Sequence, residues 1–214
     1  MCMKNIQDLR KDYTLASLTS ETIDKDAIKQ FKVWFQEALD AKVEEPNAMI
    51  LSTIKKNGMP SARVVLIKGI QEDGFEFFTN YQSNKAKEIA DNAKASLLFF
   101  WPALERQIRI EGTVEKCSSK RSDEYFESRP EGSKLGAWSS PQSQIIESRA
   151  LLENMVEETN KKFKEQEINR PYFWGGYLVK PTSIEFWQGR ASRLHDRLLY
   201  TKEQEKWKIE RLAP

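Results

Sequence analysis

Ala48-Met49-Ile50-Leu51-Ser52-Thr53-Ile54, then Lys55-Lys56-Asn57-Gly58, then Ala62-Arg63-Val64-Val65-Leu66-Ile67-Lys68-Gly69-Ile70: this stretch decides the fold. Two apolar, β-branched runs flank an Asn-Gly pair, whose tolerance of positive φ suits a tight hairpin turn. A β-hairpin over 48–70 is therefore expected. Upstream, Ile28, Phe31, Trp34, Phe35, Ala38 and Leu39 follow helical spacing, so Asp26 to Lys42 reads as an amphipathic helix closed by Pro46. Downstream, Asp73-Gly74 leads into a strand over Phe75–Thr79. A short helix follows from Ser83 to Asn92, with Ser83 as candidate N-cap.

Ala95–Trp101 and Gln107–Val114 read as a second strand pair, and Ser119–Arg129 as a helix. The longest helix is expected from Gln142 to about Gln166, with Ile145, Ile146, Ala150, Leu151, Leu152, Met155, Val156 and Phe163 as its apolar stripe. Tyr172–Val179, Ser183–Gln188, Leu194–Tyr200 and Trp207–Leu212 read as strands joined by tight polar turns. The fold class is mainly β: a closed or half-closed β barrel with added helices. Residues 1–22 read as a polar arm and 23–214 as a single domain.

The formal net charge is only +2, with charged residues at 31%, so bulk electrostatics does not mark a polyanion-binding protein and any anion site must be local. Cys2 and Cys117 are the only cysteines, which argues against a disulfide framework and fits a cytoplasmic location. The first residues lack an apolar leader, and no stretch is long and apolar enough to span a bilayer. One histidine and two distant cysteines give no zinc-ligand spacing, which leaves open only an all-carboxylate magnesium site, and no metal ligand is assigned. No Gly-x-Gly-x-x-Gly, P-loop or Gly-x-Ser-x-Gly is present, which sets aside dinucleotide-binding, nucleotide-hydrolysing and triad-hydrolase readings.

The sole histidine, His195, lies in Arg193-Leu194-His195-Asp196-Arg197. Read as a strand, this segment projects Arg193, His195 and Arg197 from one face. Such a face is either a solvated edge or a receptor for a phosphorylated or aromatic ligand. Asp196 points the other way and does not orient the ring. The odd spacing of Arg63 and Lys68 puts them on opposite faces of one strand unless a bulge intervenes. Thr79, Ser83 and Lys85 cluster at the start of the short helix, where unpaired N–H groups favour a phosphate, although a capping Ser83 needs no ligand. Tyr125 and Arg129 share a helix face with Ser133 beyond, either as a second phosphate clamp or as surface residues.

Longer motifs then align in order: Arg10-Lys11-Asp12-Tyr13, Glu45-Pro46-Asn47-Ala48-Met49, Leu104-Glu105-Arg106-Gln107, Tyr125-Phe126-Glu127-Ser128-Arg129-Pro130, Gly136-Ala137-Trp138 and Trp174-Gly175-Gly176-Tyr177. They continue through Ile184-Glu185-Phe186-Trp187-Gln188-Gly189 to Arg193–Arg197 and the final Arg211-Leu212-Ala213-Pro214. Over nearly its whole length the chain resembles the pyridoxine (pyridoxamine) 5′-phosphate oxidase family. The resemblance implies an FMN-binding split barrel and a homodimer with FMN at the interface. It also implies oxidation of pyridoxine 5′-phosphate and pyridoxamine 5′-phosphate to pyridoxal 5′-phosphate, with O2 as acceptor and H2O2 released.

The cofactor ligands it implies are Arg63, Val64, Val65, Leu66, Ile67, Lys68, Phe78, Thr79, Lys85, Gln107, Gln142, Ser143, Trp187 and Arg197, with Asn84 at the position of a further ligand. Substrate phosphate falls to Lys68, Tyr125, Arg129 and Ser133. Arg193 and His195 are the catalytic pair at the pyridine ring, and Arg10 and Tyr13 belong to an N-terminal lid. Two departures bear on the cofactor: Asn84 stands where the family usually carries Arg, and Phe78 where it often carries Tyr. Lys134 replaces a common Gln and adds positive charge beside Ser133. The alternatives are a split-barrel flavin or quinone reductase, a flavin or pyridoxal-phosphate carrier and, more distantly, a nucleic-acid module. A general flavin reductase needs no second phosphate clamp, and the near-neutral charge disfavours a nucleic-acid module.

Overall fold

The structure is a computed structural model that describes residues 5–9 and 11–214. In chain order the helices are α1 (Ala27–Asp40), α2 (Asn84–Asp91), α3 (Ser119–Glu127), α4 (Glu131–Ser139) and α5 (Arg149–Phe163). The strands are β1 (Ala48–Ile54), β2 (Pro60–Leu66), β3 (Gly69–Ile70), β4 (Phe75–Asn80), β5 (Lys94–Trp101), β6 (Arg106–Lys116), β7 (Trp174–Gln188), β8 (Asp196–Glu203) and β9 (Lys206–Leu212). The strands form one sheet in the order β2-β1-β5-β6-β7-β4-β3, with β8 paired to β7 and β9 to β8. This curled antiparallel sheet is a half-barrel with helices added, the mainly β class that the sequence predicts. Among the described residues no helix is long and apolar enough to cross a membrane.

The chain divides into two compact units. The first holds residues up to Ile50, Leu97–Glu111 and Pro181–Pro214; the second holds Leu51–Ser96 and Gly112–Lys180. In the first, Asp26 caps α1 by accepting the Lys29 N–H at 2.9 Å, and the helix buries Phe31 and Trp34. Phe31 meets Phe99 edge-on at 5.0 Å, and Trp34 meets Phe186 at 5.1 Å, with Tyr200 beyond at 5.3 Å. Full burial of such a side chain contributes roughly 1.5–3 kcal/mol, so these rings dominate the unit's core. In the second unit, β4 pairs with β7 so that Phe77 lies opposite Tyr177 and their rings stack at 5.5 Å. Phe75, Val179, Ile89 and Phe126 complete that core.

The hairpin forms as expected, with Gly58 at φ +83° donating its N–H to Lys55 O at 2.8 Å. Its return strand is shorter than the sequence suggests. β2 stops at Leu66, the Lys68 N–H donates to Glu76 O, and Gly69–Ile70 pairs with β4 instead. Alternation does not carry across that break, so the opposite-face argument for Arg63 and Lys68 fails.

Three further expectations are corrected. The helix drawn from Gln142 begins only at Arg149, because Ser148 accepts the Leu151 N–H and sets the N-terminus there. Ile145 is fully exposed, and none of the predicted stripe on α5 is buried. Helix α4 was not foreseen, since Gly132 and Gly136 weaken its helical pattern. Tyr172–Val179 and Ser183–Gln188 are parts of one 15-residue strand, β7, with Lys180-Pro181-Thr182 extended between them rather than turning.

Candidate active site

The last correction concerns the lone histidine. Arg193 closes a short 3-10 turn, Ala191–Arg193, with positive φ at Ser192 (55°) and Arg193 (61°), and β8 begins only at Asp196. Arg193, His195 and Arg197 therefore do not share a strand face. His195 is instead fixed by its neighbours. Its Nδ1 accepts the Arg190 backbone N–H at 3.1 Å, so the neutral ring carries its proton on Nε2. The imidazole packs 4.5 Å from Trp187 and 5.9 Å from Tyr13, and Tyr13 meets Trp187 edge-on at 5.8 Å. Tyr13 lies so close to Gly189 that an added Cβ would come within 2.7 Å of its ring. Burial, then the nearby Arg193 charge, lowers the His195 pKa below its ordinary value. Asp196 serves structure: it accepts from Leu18 N and pairs with Arg190 and Arg211.

The segment bearing Tyr13 is strapped to the same unit. Buried Glu105 accepts the N–H groups of Thr14 (2.8 Å) and Leu15 (3.0 Å) and pairs with Lys11. Burial alone would raise this carboxyl, but the Leu15 N–H, Lys11 and the Thr14 N–H outweigh it and hold the pKa low. Arg10 lies outside the described residues. Arg197 faces Trp187 across the β7–β8 register. Its Nε donates to Glu185 at 2.7 Å and its Nη1 to Ala213 O, while Arg109 pairs with the other Glu185 oxygen. Gln107, on β6, is half-buried.

In the second unit, Lys85 Nζ donates to Gln142 Oε1 (3.1 Å), Thr79 Oγ1 (3.2 Å) and Ser83 Oγ (3.3 Å), and the Thr79 hydroxyl donates to Gln142 at 3.0 Å. Ser83 occupies the N-cap position of α2 but makes no side-chain cap bond; its buried hydroxyl is turned to Lys85. Among the described residues the ammonium pairs with no carboxylate, and burial, followed by the charge of Arg63, lowers its pKa. Arg63 Nη1 donates to Leu51 O and to Thr53 Oγ1. Its Nη2 pairs with buried Glu88 at 2.9 Å and donates to Ser61 Oγ. A half-buried cation ringed by neutral oxygens at a helix start, beside a second cation, fits the phosphate of a flavin mononucleotide. Asn84 is exposed and adds no charge, so Lys85 and Arg63 supply the positive field. Val64 is exposed, Val65 and Leu66 are half-buried, Ile67 is buried and Lys68 reaches solvent. Ser143 is exposed, with φ 70°.

Tyr125 and Arg129 come together as the helical spacing predicts, although α3 ends at Glu127 and the Arg129 N–H closes the last turn on Phe126 O. Arg129, Ser133, Gln142, Trp174 and Asn80 line a cavity of about 230 Å³, which joins residues assigned by resemblance to substrate and to cofactor. Phe78 lies flat against Tyr125 at 4.0 Å. Buried Arg129 Nη1 has no hydrogen-bond partner. Among the described arginines, Arg63, Arg106, Arg109, Arg121, Arg149, Arg170, Arg190, Arg197 and Arg211 each pair with a carboxylate. Arg129 and Arg193 do not.

Sequence reasoning overlooked Glu88, Glu185 and Trp174. Glu185 sits two residues before Trp187 and so on the same strand face, the one signal that could have marked it as the partner of Arg197.

Residues 35–163 match the family model described as Pyridoxamine 5′-phosphate oxidase, and residues 174–214 match the Pyridoxine 5′-phosphate oxidase C-terminal dimerisation region. The curated Pyridoxine/pyridoxamine 5′-phosphate oxidase of Burkholderia mallei is 56% identical over 99% of this chain and 100% of its own length. That of Paraburkholderia phytofirmans is 55% identical over the same shares. PhzG from Burkholderia lata, solved with tetrahydrophenazine-1-carboxylic acid, is 28% identical with a TM-score of 0.87, covering 94% of this chain and 99% of that one. An FMN-binding, pyridoxamine 5′-phosphate oxidase-related protein of Nostoc punctiforme shares the fold at TM-score 0.70 and 18% identity, covering 86% of this chain and 97% of that one. With these matches and a site that fits the cofactor phosphate, the chain belongs to the pyridoxamine 5′-phosphate oxidase family of FMN-dependent oxidoreductases.

Proposed function

We propose that the protein oxidises pyridoxine 5′-phosphate and pyridoxamine 5′-phosphate to pyridoxal 5′-phosphate, reducing O2 to H2O2, as a cytoplasmic homodimer with FMN at the subunit interface. The observation that carries this reading is the unpartnered guanidinium of Arg129. A buried donor left without an acceptor costs about 1–3 kcal/mol and more for a charged group, and a phosphate dianion would offset that cost. The 56% identity to curated relatives over full length supports the same substrates.

Bound FMN supplies the two-electron acceptor that no side chain offers. The chain's own residues bind and orient. Arg129, Tyr125, Ser133 and Lys68 anchor the substrate phosphate, and the Lys85 cluster with Arg63 anchors that of the cofactor. Val64–Ile67, Phe78, Asn84, Gln107, Ser143, Trp187 and Arg197 border the cofactor. Arg193 holds the pyridine ring and stabilises developing charge. His195 donates from Nε2 to the ring 3-oxygen, and Tyr13 covers the site and excludes water, while Arg10 is assigned to substrate binding by resemblance alone.

Phosphate dependence tests this directly. The holoenzyme should use pyridoxine 5′-phosphate with a kcat/KM on the order of 10³-fold above that for unphosphorylated pyridoxine, the value of two or three charge-assisted bonds. Equal use of both would contradict the proposal. Oxidation of tetrahydrophenazine-1-carboxylic acid alone would favour a PhzG-like reaction, and flavin reduction only by a reduced nicotinamide would favour a reductase.

A further inference from the structure

Arg129 is unusual in how it is held. Its guanidinium carbon stands 4.6 Å over the ring of Trp174 and 5.6 Å from that of Phe126. Tyr125 lies four residues earlier and Arg121 four before that, at helical spacing on α3. The Tyr125 ring lies 9° from the Trp174 plane, with centroids 6.1 Å apart, and Phe78 stacks on both. Arg121 stands 5.7 Å over Phe78, and both Nε and Nη2 donate to buried Glu76. Arg121 on α3 and Arg129 just past its C-terminus thus lie against the same cluster of near-parallel rings but are held in opposite ways. Arg121 is neutralised by a carboxylate, whereas Arg129 is held by a ring face alone.

The difference has a chemical consequence. A carboxylate would cancel the charge of Arg129 and occupy its donors, as Glu76 does for Arg121. An indole face attracts the cation through its quadrupole and occupies no N–H group. Trp174 itself is fixed by the β4–β7 register opposite Asn80, and it packs edge-on against Phe126 at 5.2 Å. It is nearly buried and lines the same cavity as Ser133.

We propose that Trp174 is a positioning residue for phosphate recognition: its ring sets the Arg129 guanidinium in the cavity with its hydrogen-bond donors left free for a phosphate dianion. The proposal rests on the function given above. Tyr125, stacked on Phe78, which itself stacks on Trp174, is ordered by the same cluster of rings.

The test compares Trp174→Leu and Trp174→Phe holoenzymes with the parent. For pyridoxine 5′-phosphate, Trp174→Leu should raise KM about 10-fold with kcat within about twofold, and Trp174→Phe should restore most of the loss, because a smaller ring still offers a face. Unphosphorylated pyridoxine should show no change in kcat/KM, and flavin content per subunit should stay at the parental value. In an Arg129→Ala background, Trp174→Leu should have no further effect on KM. A fall in kcat shared by both substrates, loss of flavin, or an undiminished effect in the Arg129→Ala background would overturn the proposal by making Trp174 merely structural. Binding of pyridoxal 5′-phosphate and of inorganic phosphate, measured by titration calorimetry, separates the two claims. If the parent binds phosphate without oxidising the substrate, the functional reading fails. The Trp174 proposal is then judged on affinity alone, and equal affinity in parent and Trp174→Leu would refute it.

Discussion

Replacing His195 by Asn should lower kcat on the order of 100-fold while FMN stays bound and the substrate KM changes little. Positioned proton donors contribute about 10²–10⁴-fold, and this ring has one orientation available to it. The Arg190 N–H occupies Nδ1, which leaves Nε2–H as the working donor, and Trp187 and Tyr13 hold the plane. The pH dependence has a definite sign. Burial and Arg193 lower the His195 pKa, so the neutral tautomer dominates at pH 7 and is lost only as pH falls below the ordinary histidine value. Above pH 7 this group should leave kcat flat; the acidic limb should lie below about pH 6.5 and disappear in His195→Asn. Steady-state kinetics across pH, with flavin absorbance as the control, decides this. An unchanged kcat in the variant would remove His195 from the chemistry.

Arg129→Ala should act on binding instead. Two charge-assisted bonds to a phosphate contribute about 3 kcal/mol or more together, so KM for pyridoxine 5′-phosphate should rise about 100-fold with kcat within about threefold. The folded protein should not lose stability, because the Arg129 side chain has no hydrogen bond or carboxylate partner to lose and its burial lowers its own pKa by desolvation. Thermal melting beside the kinetics distinguishes the outcomes. A marked drop in melting temperature with loss of flavin would assign Arg129 to the core and not to the substrate.

The contrast between Arg129 and Arg121 shows where sequence reading reaches and where it stops. Helical spacing brought Tyr125 and Arg129 to one face, and the Asn57-Gly58 pair marked the hairpin, because local periods and turn chemistry are written in neighbouring residues. The break at Ile67–Lys68 was not legible: it depends on Lys68 finding Glu76 O on β4, a partner chosen by tertiary pairing. The strand reading of Arg193–Arg197 failed for a related reason. Alternating residue types cannot reveal positive φ at Ser192 and Arg193, which turns the chain just before β8 and gives His195 its fixed tautomer. The apolar spacing from Ile145 to Phe163 overstated α5, since the Ser148 cap overrides it and the half-covered stripe is not core. Which arginines are free was invisible in the sequence, because Glu76, Glu88 and Glu185 are distant along the chain from the cations they neutralise.

On the proposed function, this chain dehydrogenates a phosphorylated pyridine alcohol or amine and passes the electrons to O2. Reconstituted with FMN and mixed with pyridoxine 5′-phosphate under air, the protein should generate pyridoxal 5′-phosphate absorbance and H2O2 in equal amounts over many turnovers. A flavin-loaded protein that forms no pyridoxal 5′-phosphate under these conditions, or forms H2O2 only when a reduced nicotinamide is supplied, would contradict it.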